Sequence, residues 1–129
     1  MITVLQRVER AKVTVEDQIV GEIGLGALLL VGVEVGDTEA DADATATKIS
    51  KLRFFPGATP MDRTLVDVAG SCLVVSQFTL AAALAKGNRP SFTAAAPPAM
   101  GEPLYLRVAD GLRAAGIPCA LGRFGAHMH

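Results

Sequence analysis

Tryptophan is absent from this chain of 129 residues, and one tyrosine and five phenylalanines bring the aromatics to 5%. So few rings exclude a broad surface on which the bases of single-stranded nucleic acid stack. A strong charge of either sign is missing too: 12 Lys and Arg stand against 13 Asp and Glu, a net charge of −1. Proteins that coat long stretches of nucleic acid are far more basic, so any nucleic-acid contact is expected to be small and local. Cysteine is scarce. Cys72 and Cys119 have no Cys or His at metal-ligand spacing, since His127 and His129 follow Cys119 too distantly for a compact zinc pattern, and both thiols are expected reduced in the core. The longest apolar run, Ile23 to Val33, is too short to span a bilayer and holds three glycines. No secretion signal is read at the N-terminus, and a cytoplasmic protein without membrane contact is expected. Gly-x-Ser-x-Gly, Walker and His-Glu-x-x-His motifs are also lacking. Gly21-Glu22-Ile23-Gly24-Leu25-Gly26 has neither the order nor the following helix of a dinucleotide-binding turn.

Hydrophobic residues are abundant at 50%, with 19% charged. That balance excludes disorder and predicts one domain whose core needs no disulfide or metal staple. Residues 2–8 and 11–15 carry β-branched residues in strand patterns, Glu16-Asp17 reads as a turn, and Ile19, Val20 and Ile23 continue as a third strand. Leu28 to Val33 is an unbroken apolar run, consistent with a strand buried on both faces, and Gly36-Asp37 ends it. Thr38 and Asp41 form a capping-box-like Thr-x-x-Asp ahead of a helix with Ala42, Thr45, Ile49 and Leu52 on one stripe. Residues 57–63 read as a loop, Leu65 to Val68 and Cys72 to Leu80 as strands, and 81–98 as a long ordered loop. A second helix is anchored around Pro103, with Leu104, Val108, Leu112 and Ala115 facing inward, and ends at Gly116. Pro118 to Leu121 is a last strand.

Chemistry concentrates in three stretches. The apolar strand from Cys72 ends with Ser76, Gln77 and Thr79 close together, and alternation puts Gln77 and Thr79 on one face, Ser76 and Phe78 on the other. Such polar groups either cap the sheet and bond a neighbouring loop or meet a ligand. Lys86-Gly87-Asn88-Arg89-Pro90-Ser91-Phe92 combines two cations, a glycine and a hydroxyl, either an exposed turn or a hold for one phosphate. Gly122-Arg123-Phe124-Gly125-Ala126-His127-Met128 contains a histidine that is more readily a surface residue than a base.

Taken in order, these stretches resemble one family. Gln6-Arg7-Val8, Val13-Thr14-Val15, Gly21-Glu22-Ile23-Gly24, Val31-Gly32-Val33 and Gly36-Asp37-Thr38 are similar to the D-aminoacyl-tRNA deacylases, once called D-tyrosyl-tRNA deacylases. Lys51-Leu52-Arg53, Ser76-Gln77-Phe78-Thr79-Leu80, Lys86 to Phe92, Ala96-Pro97-Pro98 and Gly122 to Ala126 continue the match over nearly the whole chain. The resemblance implies an α/β fold in which β-sheets form a barrel-like core with two main helices packed outside. It implies a homodimer with active sites at the subunit interface, no metal or cofactor, and hydrolysis of the ester that joins a D-amino acid, or glycine on the wrong tRNA, to the acceptor end of tRNA. It assigns Gln77, Phe78 and Thr79 to catalysis, with the Phe78 and Thr79 backbone N–H groups facing the substrate carbonyl. It assigns Ser76, Arg7, Lys86, Arg89, Phe92, Phe124 and Met128 to substrate binding. Catalysis in the family leans on the 2′-hydroxyl of the tRNA, and no base neighbours Thr79 in sequence.

Two departures accompany the resemblance. The family continues past the Gly-x-Phe-Gly-Ala-x-Met element with a strand and an Asn-x-Gly-Pro segment whose Gly-Pro reaches the partner's pocket and excludes L-amino acids, whereas this sequence ends at His129 and holds no Gly-Pro. The expectation is one deacylase domain over residues 1–129 that lacks the C-terminal strand, either truncated or without the chiral filter. Ala81-Ala82-Ala83-Leu84 also replaces more polar residues of the family. A catalytically impaired aminoacyl-tRNA-binding protein is the second expectation. An editing domain like that of some archaeal threonyl-tRNA synthetases is disfavoured by the lack of a synthetase body.

Overall fold

The structure, a computed structural model, describes residues 1–81, 95–126 and 128. Strands β1 (Ile2–Val8), β2 (Ala11–Val15), β3 (Gln18–Ile23) and β4 (Gly26–Gly32) lead to helix α1 (Glu39–Lys51). Strand β5 (Ser71–Ser76), helix α2 (Pro98–Ala114) and strand β6 (Cys119–Leu121) complete the order. β1, β4, β5 and β6 form one sheet in that order, and β2 and β3 form a separate hairpin. β1 runs antiparallel to β4, while β4–β5 and β5–β6 are parallel pairs, each joined through a helix. The class is α/β with the helices outside, as expected, and its strands form a four-stranded sheet and a two-stranded hairpin packed against it.

Alternation in the two central strands sorts the core into two layers. Ala27, Leu29 and Val31 of β4, with Cys72 and Val74 of β5, pack against Ala42, Ala46 and Ile49 of α1 and Leu104, Val108 and Leu112 of α2. Leu73 and Val75 face the other way and meet Val13 and Ile23 of the hairpin. Glu16 and Asp17 both adopt positive φ, the two-residue geometry that closes a tightly twisted hairpin.

Helix α1 starts as the sequence predicts. Asp41 N–H donates to the Thr38 hydroxyl at 3.3 Å and Thr38 N–H donates to the Asp41 carboxylate at 2.8 Å. That backbone bond holds the Asp41 carboxyl below its usual range. The buried stripe runs through Ala46, with Thr45 and Leu52 only partly covered.

Four expectations need correction. Leu65 to Val68 is a turn, because Thr64 N–H donates to Asp67, Asp67 N–H donates back to the Thr64 hydroxyl, and Val68 N–H reaches Thr64 O. These local bonds replace a strand ladder. β5 stops at Ser76, and Phe78–Ala81 is one turn of 3₁₀ helix. Helix α2 begins at Pro98, where a missing N–H costs nothing, and carries Pro103 inside it. Ala115 is the exposed C-terminal cap, so the inward stripe ends at Leu112.

The helices cross where neither has a bulky side chain. A Cβ added to Gly111 would lie 2.7 Å from the Ala46 Cβ. Gly111→Ala should therefore cost about 1–3 kcal/mol of stability by overpacking, despite its better helix propensity. In urea unfolding, adding Ala46→Gly should recover part of that loss, and strict additivity of the two changes would contradict the close crossing.

Candidate active site

The hairpin covers Leu73 and part of Val75 but leaves Leu28 and Leu30 only half-buried. A cleft of about 810 Å³ opens there. Leu28, Leu30 and Val75 form its floor, Ala11, Lys12 and Val13 one side, and Phe124, Gly125, Ala126 and Met128 the other. Ser76, Gln77 and Phe78 stand at the end of β5, with Ala95, Ala96 and Pro98 beyond.

The polar segment follows directly from the way β5 ends. Gln77 N–H still donates to Val31 O at 2.8 Å, so the chain remains tied to β4 for one residue past the strand. It then coils, and Leu80 N–H donates to Gln77 O at 3.3 Å. Gly32 permits this coil to lie across β4, since a Cβ there would fall 2.8 Å from the Leu80 Cβ and 3.1 Å from Gln77 O. The turn changes which side chains meet: Ser76, Gln77 and Phe78 all line the cleft. Gln77 Nε2 donates to the Thr79 hydroxyl, which is exposed beside the cleft and is not among its lining residues. Phe78 and Thr79 open the 3₁₀ turn that follows β5.

On the facing wall, the Phe124 ring lies 5.7 Å from that of Tyr105 on α2, at an interplanar angle of 24°. Gly122 N–H donates to Val74 O at 3.1 Å, extending the β5–β6 pairing, and Arg123 N–H approaches the Met128 sulfur at 3.3 Å. Arg7 stands apart: its guanidinium donates to Phe54 O at 2.9 Å, and it does not line the cleft. Lys86, Arg89, Phe92 and His127 lie outside the described residues.

Lys12 is the one charged side chain among the described lining residues, and sequence reading missed it together with Ala11, Leu28 and Leu30. Alternation along β4 could have paired Leu28 and Leu30 with Val75; no local signal places Ala11 and Lys12 beside them. The lining is mostly apolar with a few polar groups at one end, a composition suited to holding a small organic moiety against backbone and amide donors.

A D-aminoacyl-tRNA deacylase of Cereibacter sphaeroides (strain KD131 / KCTC 12085) is 55% identical over 129 residues, covering 99% of this chain and 89% of its own length. That of Thermomicrobium roseum (strain ATCC 27502 / DSM 5159 / P-2) is 54% identical, covering 99% and 84%. A solved c-Myc DNA Unwinding Element Binding Protein superposes with a TM-score of 0.89 at 34% identity, over 98% of this chain and 87% of that one. A probable eukaryotic D-amino acid tRNA deacylase shares the fold, with a TM-score of 0.80 at 16% identity over 98% and 90%. The family model described as D-Tyr-tRNA(Tyr) deacylase matches residues 4–129, and the chain belongs to that family.

Proposed function

We propose that the cleft at the end of β5 is where this chain hydrolyses the ester of D-aminoacyl-tRNA, and of glycine mischarged on the tRNA for alanine. The observation that carries this reading is the Ser76-Gln77-Phe78 segment lining a largely apolar cleft, in a chain similar over nearly its full length to D-aminoacyl-tRNA deacylases. The amino-acid moiety occupies the apolar part, and the ester carbonyl faces the start of the 3₁₀ turn. As water adds to the carbonyl carbon, negative charge develops on its oxygen, and the Phe78 and Thr79 N–H groups stabilise it. The bond to the ribose oxygen then breaks, and that oxygen leaves with a proton. Charge-assisted stabilisation by fixed backbone dipoles needs no titrating side chain, which suits a cleft whose one charged described lining residue is Lys12.

Thr79 does not serve as the nucleophile in this reading. Its hydroxyl accepts a hydrogen bond from Gln77 Nε2, and an amide cannot take the proton that an attacking hydroxyl must lose. The 2′-hydroxyl of the terminal adenosine lies next to the ester in any aminoacyl-tRNA and supplies the assistance. Ser76 and Gln77 position the substrate, with Phe124 and Met128 closing the opposite wall; Arg7, Lys86, Arg89 and Phe92 are further binding residues that the family resemblance proposes.

A homodimer and a cytoplasmic setting belong to the same proposal. Ile2 and Val4 are exposed on the outer strand β1, on the face that carries Leu28 and Leu30, and a second copy would cover them. No helix among the described residues is long and apolar enough to cross a membrane.

The direct test is release of free amino acid from D-aminoacyl-tRNA. Turnover well above spontaneous hydrolysis is expected, and binding without turnover would favour the impaired binding protein. Thr79→Ala should lower the rate by no more than about 10²-fold, because the N–H donors stay in place, against losses of about 10⁴-fold or more for a deleted nucleophile. A 2′-deoxy terminal adenosine should slow the reaction far more. A dead Thr79→Ala, with the 2′-deoxy substrate still hydrolysed by the unaltered chain, would make Thr79 the nucleophile. Affinity for tRNA should fall only gently with salt, since contact is confined to the acceptor end. A log–log slope near −5 or steeper, which corresponds to about six or more neutralised phosphates, would contradict that confinement.

A further inference from the structure

The two cysteines, 47 positions apart in the sequence, are direct neighbours in the fold: Cys72 of β5 and Cys119 of β6 are paired in register across a parallel ladder. Both side chains join the helix-facing layer of the core, so they point the same way. Neighbouring strands lie about 4.8 Å apart, within the Cα separation of about 4.4–6.8 Å that disulfides span. Both thiols are free; Cys72 is fully buried and Cys119 is partly exposed. The Cys119 thiol donates to Ile117 O at 3.5 Å.

We propose that Cys72 and Cys119 are a peroxide-responsive thiol pair that closes to a disulfide joining β5 to β6. The division of labour follows from their surroundings. Pairing with Cys72, helped by the nearby Arg113 guanidinium, lowers the pKa of Cys119, whereas the same pairing and burial push the Cys72 thiol up. Cys119 is thus both the more reachable sulfur and the one that more readily becomes a thiolate, the form that attacks peroxides. Its sulfur attacks one oxygen of a hydroperoxide, the O–O bond breaks, and the other oxygen departs as an alcohol or, from hydrogen peroxide, as water. Cys119 is left as a sulfenic acid. The Cys72 sulfur then displaces that hydroxyl, which leaves as water with the Cys72 proton, and the S–S bond forms. Two thiols have lost two electrons and two protons, and one peroxide has been reduced.

The bond would fasten a short outer strand. β6 pairs with β5 through only three residues, Cys119, Ala120 and Leu121, and leads through Gly122 and Arg123 into the cleft wall that starts at Phe124. Neither cysteine takes part in the proposed hydrolysis, so this chemistry stands or falls separately from it.

The full chain is exposed to hydrogen peroxide, denatured, and its thiols blocked with iodoacetamide. Expected is loss of both alkylatable thiols of the two, recovery of both with dithiothreitol, and a non-reduced digest with the Cys72 and Cys119 peptides joined within one chain. Peptide mapping separates this product from methionine sulfoxide. Cys72→Ala should stop at a Cys119 sulfenic acid that a 1,3-diketone traps, and Cys119→Ala should keep the Cys72 thiol unreacted. Two thiols still alkylatable after treatment, a wild-type Cys119 that stays sulfenic without a crosslink, or a bond only between chains would each overturn the proposal. All three readings are made on the wild-type chain, so poor folding of a variant does not shield it.

Discussion

Burial of β5 on both faces is the constraint around which this fold is arranged. Cys72, Leu73, Val74 and Val75 are all buried, and parallel neighbours on both sides take up the strand's backbone hydrogen bonds. A strand whose four central positions are all apolar needs two covers, since either face left in water would forfeit hydrophobic stabilisation of about 25 cal/mol per Å². The crossover helices cover one face. The β2–β3 hairpin covers the other, and it is too small to cover all of it. The cleft lies where that cover stops, over Leu28, Leu30 and Val75.

The proposed active site lies at the end of the same strand. Ladder bonds hold β5 up to the Gln77 N–H, and the chain turns away into one 3₁₀ turn that Gly32 allows to lie close across β4. A rigid strand thereby sets the position of two backbone N–H groups to a precision that a free loop would not provide. The lowered carboxylate pKa values among the described residues lie elsewhere. Asp41 and Asp67 have lowered pKa values because backbone N–H groups of Thr38 and Thr64 donate to them, and Asp43 because Arg107 bridges α2 to α1. These are caps and helix-to-helix pairs on the surface. The described lining of the cleft is mostly apolar, with Lys12 as its one charged side chain.

Much of the framework was legible in the sequence because its signals are local. Strands 2–8 and 11–15, the Glu16-Asp17 turn and the Thr38-x-x-Asp41 cap each depend on residues within a few positions of one another, and the structure keeps them. The Ser76-Gln77-Phe78 segment, which lines the cleft, stood out in the sequence for a related reason: polar groups that follow a run of buried apolar residues call for partners. The family resemblance rests on that segment and on its order among the other motifs.

Only the tertiary structure decided where those elements stop and what they touch. β5 ends at Ser76 because β4 offers its last acceptor at Val31 O and Gly32 leaves room to turn, which no pattern within 72–80 records. Thr64 and Asp67 outcompete a ladder for residues 65–68, and Pro98, well ahead of Pro103, opens α2. Lys12 reaches the cleft, and Cys119 reaches Cys72, only once the hairpin folds over the sheet and β6 returns beside β5. Periodicity and capping report the face and the start of an element, because they act within one turn or one pleat. Register between strands far apart in the chain is set by burying their shared faces, and that is a property of the folded whole.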